Sequence, residues 1–183
     1  MDLVKQIQNY KILRNILIVV IGSLLLTISA KIKIPFYPVP MTMQTFVVLM
    51  LGISVGPKLG VSAVVLYLIE GIAGIPVFSN SPEKGVGLIY FTGPTMGYLL
   101  GFIFACFLCG QFKMNTNLAF IFIKLIISVS VIYLLGTLWL GSLIGWDKPI
   151  FSLGVKPFLP AEFCKILLLT LITKFLAKFR KFI

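Results

Sequence analysis

Pro35-Phe36-Tyr37-Pro38-Val39-Pro40-Met41-Thr42-Met43-Gln44-Thr45 lies between two apolar runs and decides how the chain divides. Proline has no amide hydrogen and disfavours helix at its own position and at the one before it, so three prolines in six residues prevent a continuous helix here. Non-helical backbone at the edge of a bilayer is tolerated only where protein or water satisfies its polar groups. An ordered loop with something packed against it is the expectation.

The flanking chain is strongly apolar. Hydrophobic residues make up 59% of the 183 positions and charged residues 11%, with a mean hydropathy of +1.09. Soluble domains have an apolar share nearer ~45–50%, so the composition reads as an integral membrane protein. The 16 basic residues outnumber 5 acidic ones, but they cluster at the chain ends and between apolar runs, as topogenic charge does, and nucleic acid is not an expected partner. Lys5, Lys11 and Arg14 ahead of the run from Ile16 to Ile28, with Ala30 after it, have the layout of a signal peptide. The further apolar runs favour a first membrane helix instead.

The chain contains no histidine, which removes the commonest general base and transition-metal ligand. Cys106 and Cys109 form a C-x-x-C inside an apolar run with no second pair, and Cys164 stands alone; all three read as small core residues. No Walker A motif is present, so energy from ATP would have to come from a partner. A non-enzyme without cofactor or metal is the expectation.

Hydropathy and breaker residues predict an all-α membrane protein, a single transmembrane domain over 1–183. Six helices are expected, at about 11–30, 41–56, 58–73, 95–112, 118–143 and 160–181. The region from Met41 to Ile75 is too long for one span and divides at Gly56-Pro57-Lys58. The last helix is the least apolar, with Glu162 and Lys165 near one end and Lys174, Lys178, Arg180 and Lys181 near the other. Six spans put both termini on one side, with Lys5, Lys11, Arg14, Lys58, Lys113, Lys124, Lys174, Lys178, Arg180 and Lys181. Six basic residues lie opposite: Lys31, Lys33, Lys84, Lys148, Lys156 and Lys165. The positive-inside rule then makes the termini cytoplasmic. The long connections 31–40, 75–91 and 144–159 fall outside and are expected to form a ligand pocket.

Glu162 and Lys165, three residues apart, share one face of the last helix at membrane depth. An ionisable pair there is a functional site by default, the alternative being an ion pair that satisfies only itself. Glu70 reads either as a site residue or as a solvated helix end. Glycine and proline in Gly71-Ile72-Ala73-Gly74-Ile75-Pro76 bend the chain and leave Phe78 and Asn80 to line a cavity. Gly93, Gly97 and Gly101 form one helix stripe, and Gly52, Gly56 and Gly60 repeat the spacing; both read as close helix packing. Tyr98 is either an interfacial anchor or a stacking surface. Gln44, Thr45, Asn80, Glu162 and Lys165 supply donors and acceptors, while Phe36, Tyr37, Phe78 and Tyr98 supply flat walls. That mixture suits a small ligand with an apolar body and an amide-like head, and does not suit an ion filter.

At these residues the sequence resembles the BioY family, the biotin-specific S components of energy-coupling factor transporters. The similarity runs through Pro38-Val39-Pro40-Met41-Thr42-Met43-Gln44-Thr45, Gly71-Ile72-Ala73-Gly74-Ile75-Pro76-Val77-Phe78, Gly93-Pro94-Thr95-Met96-Gly97-Tyr98-Leu99-Leu100-Gly101-Phe102 and Lys156-Pro157-Phe158-Leu159-Pro160-Ala161-Glu162-Phe163-Cys164-Lys165. The resemblance implies biotin as ligand, captured at the outer face of the cell membrane. It also implies a transmembrane coupling subunit and two cytoplasmic ATPases as partners. Lys165 is then expected near the valerate carboxylate or in a nearby polar network, and Glu162 near the ureido donors or orienting Lys165. Aspartate is commoner in the family at the position of Glu162. The small residues that helix one presents to a coupling subunit are matched only loosely, by Ser23 and Thr27 with Gly22 and Ala30 nearby. An S component for another vitamin, or a helical bundle with no transport role, are the alternatives.

Overall fold

The computed structural model describes residues 2–34, 37–83, 85–113 and 116–180. Helix α1 spans Asp2–Lys31. It starts well before residue 11 because lysine and glutamine end an apolar run without ending a helix. A two-residue antiparallel ribbon follows, β1 (Lys33–Ile34) and β2 (Met41–Thr42), with Lys33 opposite Thr42 and Ile34 opposite Met41. The ribbon closes the proline-rich segment on itself.

Helix α2 spans Gln44–Ile72 and is interrupted at Gly56, whose φ of 83° and ψ of 175° are not helical, with Pro57 immediately after. Such a positive φ suits glycine, which has no Cβ to clash. The break is a reversal. The Gln44 amide nitrogen lies 2.7 Å from the Tyr67 hydroxyl, whereas a straight helix would separate residues so far apart by about 34 Å at 1.5 Å per residue. The arms 44–55 and 57–72 therefore fold back on each other.

The short helix α3 (Leu88–Phe91) precedes α4 (Met96–Gln111), and α5 covers Leu118–Ile144. The short α6 (Ile150–Gly154) and a 3-10 turn at Lys156–Phe158 lead into α7 (Leu159–Phe179). β1, α3, α6 and the 3-10 turn fall where loops are expected, since pieces so short carry no periodic signal, whereas Met41–Thr42, expected as the start of the second helix, pair with β1 instead and α2 begins only at Gln44. Among the described residues, three helices are long and apolar enough to cross a membrane, over 10–31, 44–72 and 118–144, and α4 is a shorter apolar helix.

The arms of α2 are the centre of the bundle, with α1, α4 and α7 against them and α5 against α4. Glycines set the spacing. A methyl group at Gly97 would come 2.4 Å from the Leu135 carbonyl oxygen, one at Gly101 2.7 Å from Ile132 Cα, and one at Gly52 2.6 Å from the Cys106 carbonyl oxygen. These are backbone approaches that only small residues permit. Gly56 departs from the expected packing stripe, because it makes the reversal and faces the Arg180 guanidinium. Arg180 also donates to the Gly110 carbonyl at 2.8 Å, pinning the end of α7 to the end of α4.

Cys106 and Cys109 are buried in the core, but Cys164 is exposed, contrary to the core reading. The buried positions of α7 are Glu162, Lys165, Ile166, Leu169, Thr170 and Thr173, one helical stripe that passes Cys164 by.

Candidate ligand-binding site

At the end of the bundle where α7 begins, a cavity of about 560 Å³, counting its solvent-open part, lies between the proline-rich segment, α4, α5 and α7. Val39, Pro40, Met41, Leu99, Phe102 and Ile132 give it apolar walls, and Tyr98, Tyr133 and Phe158 give it aromatic ones. Thr42, Gln44, Thr45, Ser79, Tyr90, Thr95, Glu162 and Lys165 supply polar groups.

The last turn-forming stretch before α7 sets up the centre of the site. Glu162 and Lys165 are both buried and their side chains meet at 2.6 Å. The Lys165 ammonium also donates to the Thr42 carbonyl at 2.6 Å and to the Thr45 hydroxyl at 3.1 Å. An ammonium has three donors, and all three are thereby engaged by protein oxygens. Lys165 ties the proline-rich segment and the start of α2 to α7.

Glu162 is less completely satisfied. Its Oε1 accepts from Lys165 and from the Thr45 hydroxyl at 2.8 Å. Its Oε2 is buried with no hydrogen-bond partner. The Ser79 hydroxyl, also on the cavity wall, is likewise buried and unpartnered. Leaving a buried polar atom unpaired costs ~1–3 kcal/mol, more for a charged group, so both atoms call for a partner inside the cavity. The ion pair exists, as the alternative reading required, but it does not satisfy itself.

Gln44 is committed at both ends of its amide, donating to Tyr67 and accepting from the Thr42 hydroxyl at 3.2 Å. It retains one donor and one lone pair. Tyr98 is buried and donates to the Gly154 carbonyl at 2.9 Å, so it is a wall rather than an interfacial anchor. Gly136 leaves the slot for its ring, since a methyl there would come 2.4 Å from Tyr98 Cδ1.

Of the expected site residues, Gln44, Thr45, Tyr98, Glu162 and Lys165 converge on the cavity. Phe36 lies outside the described residues. Tyr37 is 80% exposed and does not line the cavity. Phe78 is 1% exposed and turned into the core: it stacks on Tyr90 with ring centroids 4.6 Å apart and meets Tyr67 and Phe91 edge-on. Burying its ring over Gly71 outweighs exposing it to a wet cavity. Asn80 faces a neighbouring hollow that shares Tyr90 and Thr95 with the main cavity, and accepts a hydrogen bond from Lys33 at 3.1 Å. Glu70 is outside the cavity and accepts a short hydrogen bond from the Ser23 hydroxyl on α1.

The sequence reading missed Ser79, Tyr90, Thr95, Tyr133 and Phe158. Ser79 and Tyr90 adjoin segments already singled out, whereas Tyr133 sits in α5 among residues with no distinguishing pattern. Burial pushes the Tyr90 phenol above its ordinary range, so it stays protonated and available as a donor through neutral and mildly alkaline pH.

An apolar helical bundle with a small, mostly apolar chamber near one end, and with buried polar atoms turned into that chamber, defines a membrane protein built to receive a small molecule. Residues 4–182 match the profile of the BioY family, and the chain belongs to it. It is 34% identical over 152 residues to the probable biotin transporter BioY of Pyrococcus horikoshii, covering 83% of this chain and 89% of that one. It is also 34% identical over 159 residues to the biotin transporter BioY of Thermotoga maritima, covering 86% and 92%. The fold superposes on the crystal structure of the S-component for biotin from an ECF-type ABC transporter with a TM-score of 0.77, at 25% identity, over 93% of this chain and 94% of the other. The chain is a transport protein and not an enzyme.

Proposed function

We propose that this protein is the biotin-binding S component of an energy-coupling factor transporter. It sits in the cell membrane as a six-span single domain with both termini cytoplasmic, captures biotin at its outer face, and releases it inward when a coupling subunit and two ATPases drive the complex. The hairpin in α2 supports the count of six, because its arms join α1, α4, α5 and α7 as separate rods. The excess of basic residues on the terminal side supports the orientation.

The observation that carries the reading is the buried, unpartnered Oε2 of Glu162 in a chamber with apolar and aromatic walls. Biotin has an apolar bicycle and a ureido group with two N–H donors. One N–H pairs with Oε2, while Lys165, with its donors already engaged, holds the Glu162 carboxylate in place through Oε1. Gln44, Thr45 and Tyr98 complete the contact surface from the expected set.

The test is equilibrium binding by the purified protein in detergent, with biotin competed against thiamine, riboflavin and desthiobiotin. Biotin is expected to bind tightly and desthiobiotin, which keeps the ureido group, to compete. Binding of thiamine or riboflavin in place of biotin overturns the substrate assignment.

A further inference from the structure

Ser79 stands on the segment between α2 and α3, and its hydroxyl is buried, unpartnered and on the cavity wall. Within the segment, the Ser81 amide and hydroxyl donate to the Phe78 carbonyl at 3.2 and 2.8 Å, closing one turn over Ser79. The carbonyls around it are gripped from outside by two lysines at the end of α1 and on β1. Lys31 donates to the Phe78 carbonyl at 2.8 Å and to the Ser81 carbonyl at 3.0 Å. Lys33 donates to the Ser79 carbonyl at 2.7 Å and to Asn80 Oδ1 at 3.1 Å. Four acceptors on four consecutive residues are thus held by two cations, with Phe78 anchoring the same residues in the core by its stack on Tyr90.

We infer that Ser79 is a ligand-contacting residue and that Lys31 and Lys33 are positioning residues that clasp its segment so the hydroxyl faces the bound ligand. The inference rests on the proposed biotin site and adds to it. A charge-assisted hydrogen bond to a carbonyl is stronger than a neutral one, so the two lysines fix in space a short turn whose own bonds, from Ser81 to the Phe78 carbonyl, close it but do not tie it to the rest of the fold. The Ser79 hydroxyl can donate and accept, and it meets a polar atom of the ligand that Glu162 leaves unpaired. Lys165 grips the Thr42 carbonyl in the same manner. The two connections bordering the chamber are therefore held by one device, a lysine ammonium on backbone oxygens.

The experiment compares the full-length protein in detergent with Ser79→Ala, with the double variant Lys31→Met/Lys33→Met, with the triple variant combining all three, and with Lys31→Arg/Lys33→Arg. Biotin affinity is read by equilibrium titration, and hydrogen exchange of the 77–83 amides is read without ligand. Ser79→Ala and the methionine pair are each expected to weaken biotin about tenfold, the size of one lost hydrogen bond at ~1–1.5 kcal/mol. The triple variant is expected to be no weaker than the methionine pair alone, because a hydroxyl no longer aimed at the ligand has nothing left to lose. The arginine pair should retain binding, and the methionine pair should speed exchange in 77–83. Unchanged affinity in Ser79→Ala, or fully additive losses in the triple variant, overturns the contact. Unchanged exchange in the methionine pair overturns the clasp. If the parent protein binds no biotin, the proposed function fails, and the exchange measurement still judges the clasp by itself.

Discussion

Glu162 and Lys165 show how much can follow from one unpaired atom. The lysine has spent its donors on Thr42, Thr45 and Glu162, while the carboxylate has spent one of its two oxygens. Their mutational effects should therefore differ in kind. Glu162→Gln keeps the shape and removes the charge, so biotin affinity should fall about tenfold to a hundredfold, in line with ~1.5–3 kcal/mol for a hydrogen bond to a charged group. Binding titration of the purified variant checks this, and affinity equal to the parent protein's would show that Oε2 does not meet the ligand. Lys165→Ala leaves a buried carboxylate without its cation and should cost ~3–5 kcal/mol of stability as well as binding. The neutral pair Glu162→Gln/Lys165→Met should regain much of that melting temperature but not the affinity, since exchanging both partners removes the desolvation penalty together with the contact. A melt and a titration on the same preparation separate the two effects. At this scale the sequence could single out both residues, because charges inside an apolar run are rare. Which oxygen lacks a partner was not.

Helix α2 and its exit loop carry the element-scale consequences. Gly56 holds a φ of 83° at the reversal. Gly56→Ala would put a side chain into left-handed backbone, at a cost of ~1–2 kcal/mol, and its methyl would come 3.1 Å from Arg180 Nε. A lowered melting temperature in detergent is expected, with biotin affinity little changed because the cavity lies at the other end of both arms. Gly71 acts at the cavity end. A methyl there would come 2.0 Å from the Phe78 ring, and overpacking of that sort costs ~1–3 kcal/mol. Gly71→Ala should displace Phe78, loosen the segment carrying Ser79 and reduce biotin affinity several-fold; a titration showing no loss would detach Phe78 from the site. The break at Gly56-Pro57 could be read from proline chemistry, and the long apolar helices from hydropathy. The inward turn of Phe78 could not, because it depends on the slot that Gly71 leaves and on Tyr67, Tyr90 and Phe91 arriving from other elements.

For the whole molecule, sidedness and dependence on partners follow from the proposed orientation. Cysteine introduced at Asp147, between α5 and α6, should react with a membrane-impermeant thiol reagent added to intact cells, whereas cysteine at Lys58, at the α2 reversal, should react only after permeabilisation. Both are made in a background lacking Cys106, Cys109 and Cys164. The opposite labelling pattern would invert the topology. Each arm of α2 is short, about 18 Å for 44–55 and 24 Å for 57–72 by helical rise, less than the ~30 Å hydrocarbon depth. The bilayer is therefore expected to thin around them, or the flanking segments to complete the crossing.

Composition, breaker residues and the two charges Glu162 and Lys165 beside an apolar run were enough to determine from the sequence an all-helical membrane protein with a polar pair on its last helix. These properties belong to each segment by itself: hydropathy is a local sum, proline acts on its neighbours, and a charge in an apolar run is anomalous wherever the run ends up. The tertiary structure alone decided which polar atoms are left over. Tyr37 and Phe78 are not on the cavity wall, Ser79, Tyr90 and Tyr133 are, and Lys31 and Lys33 reach across to the segment after α2. Whether a donor or acceptor is free depends on every group packed around it, and those groups come from elements far apart in the chain.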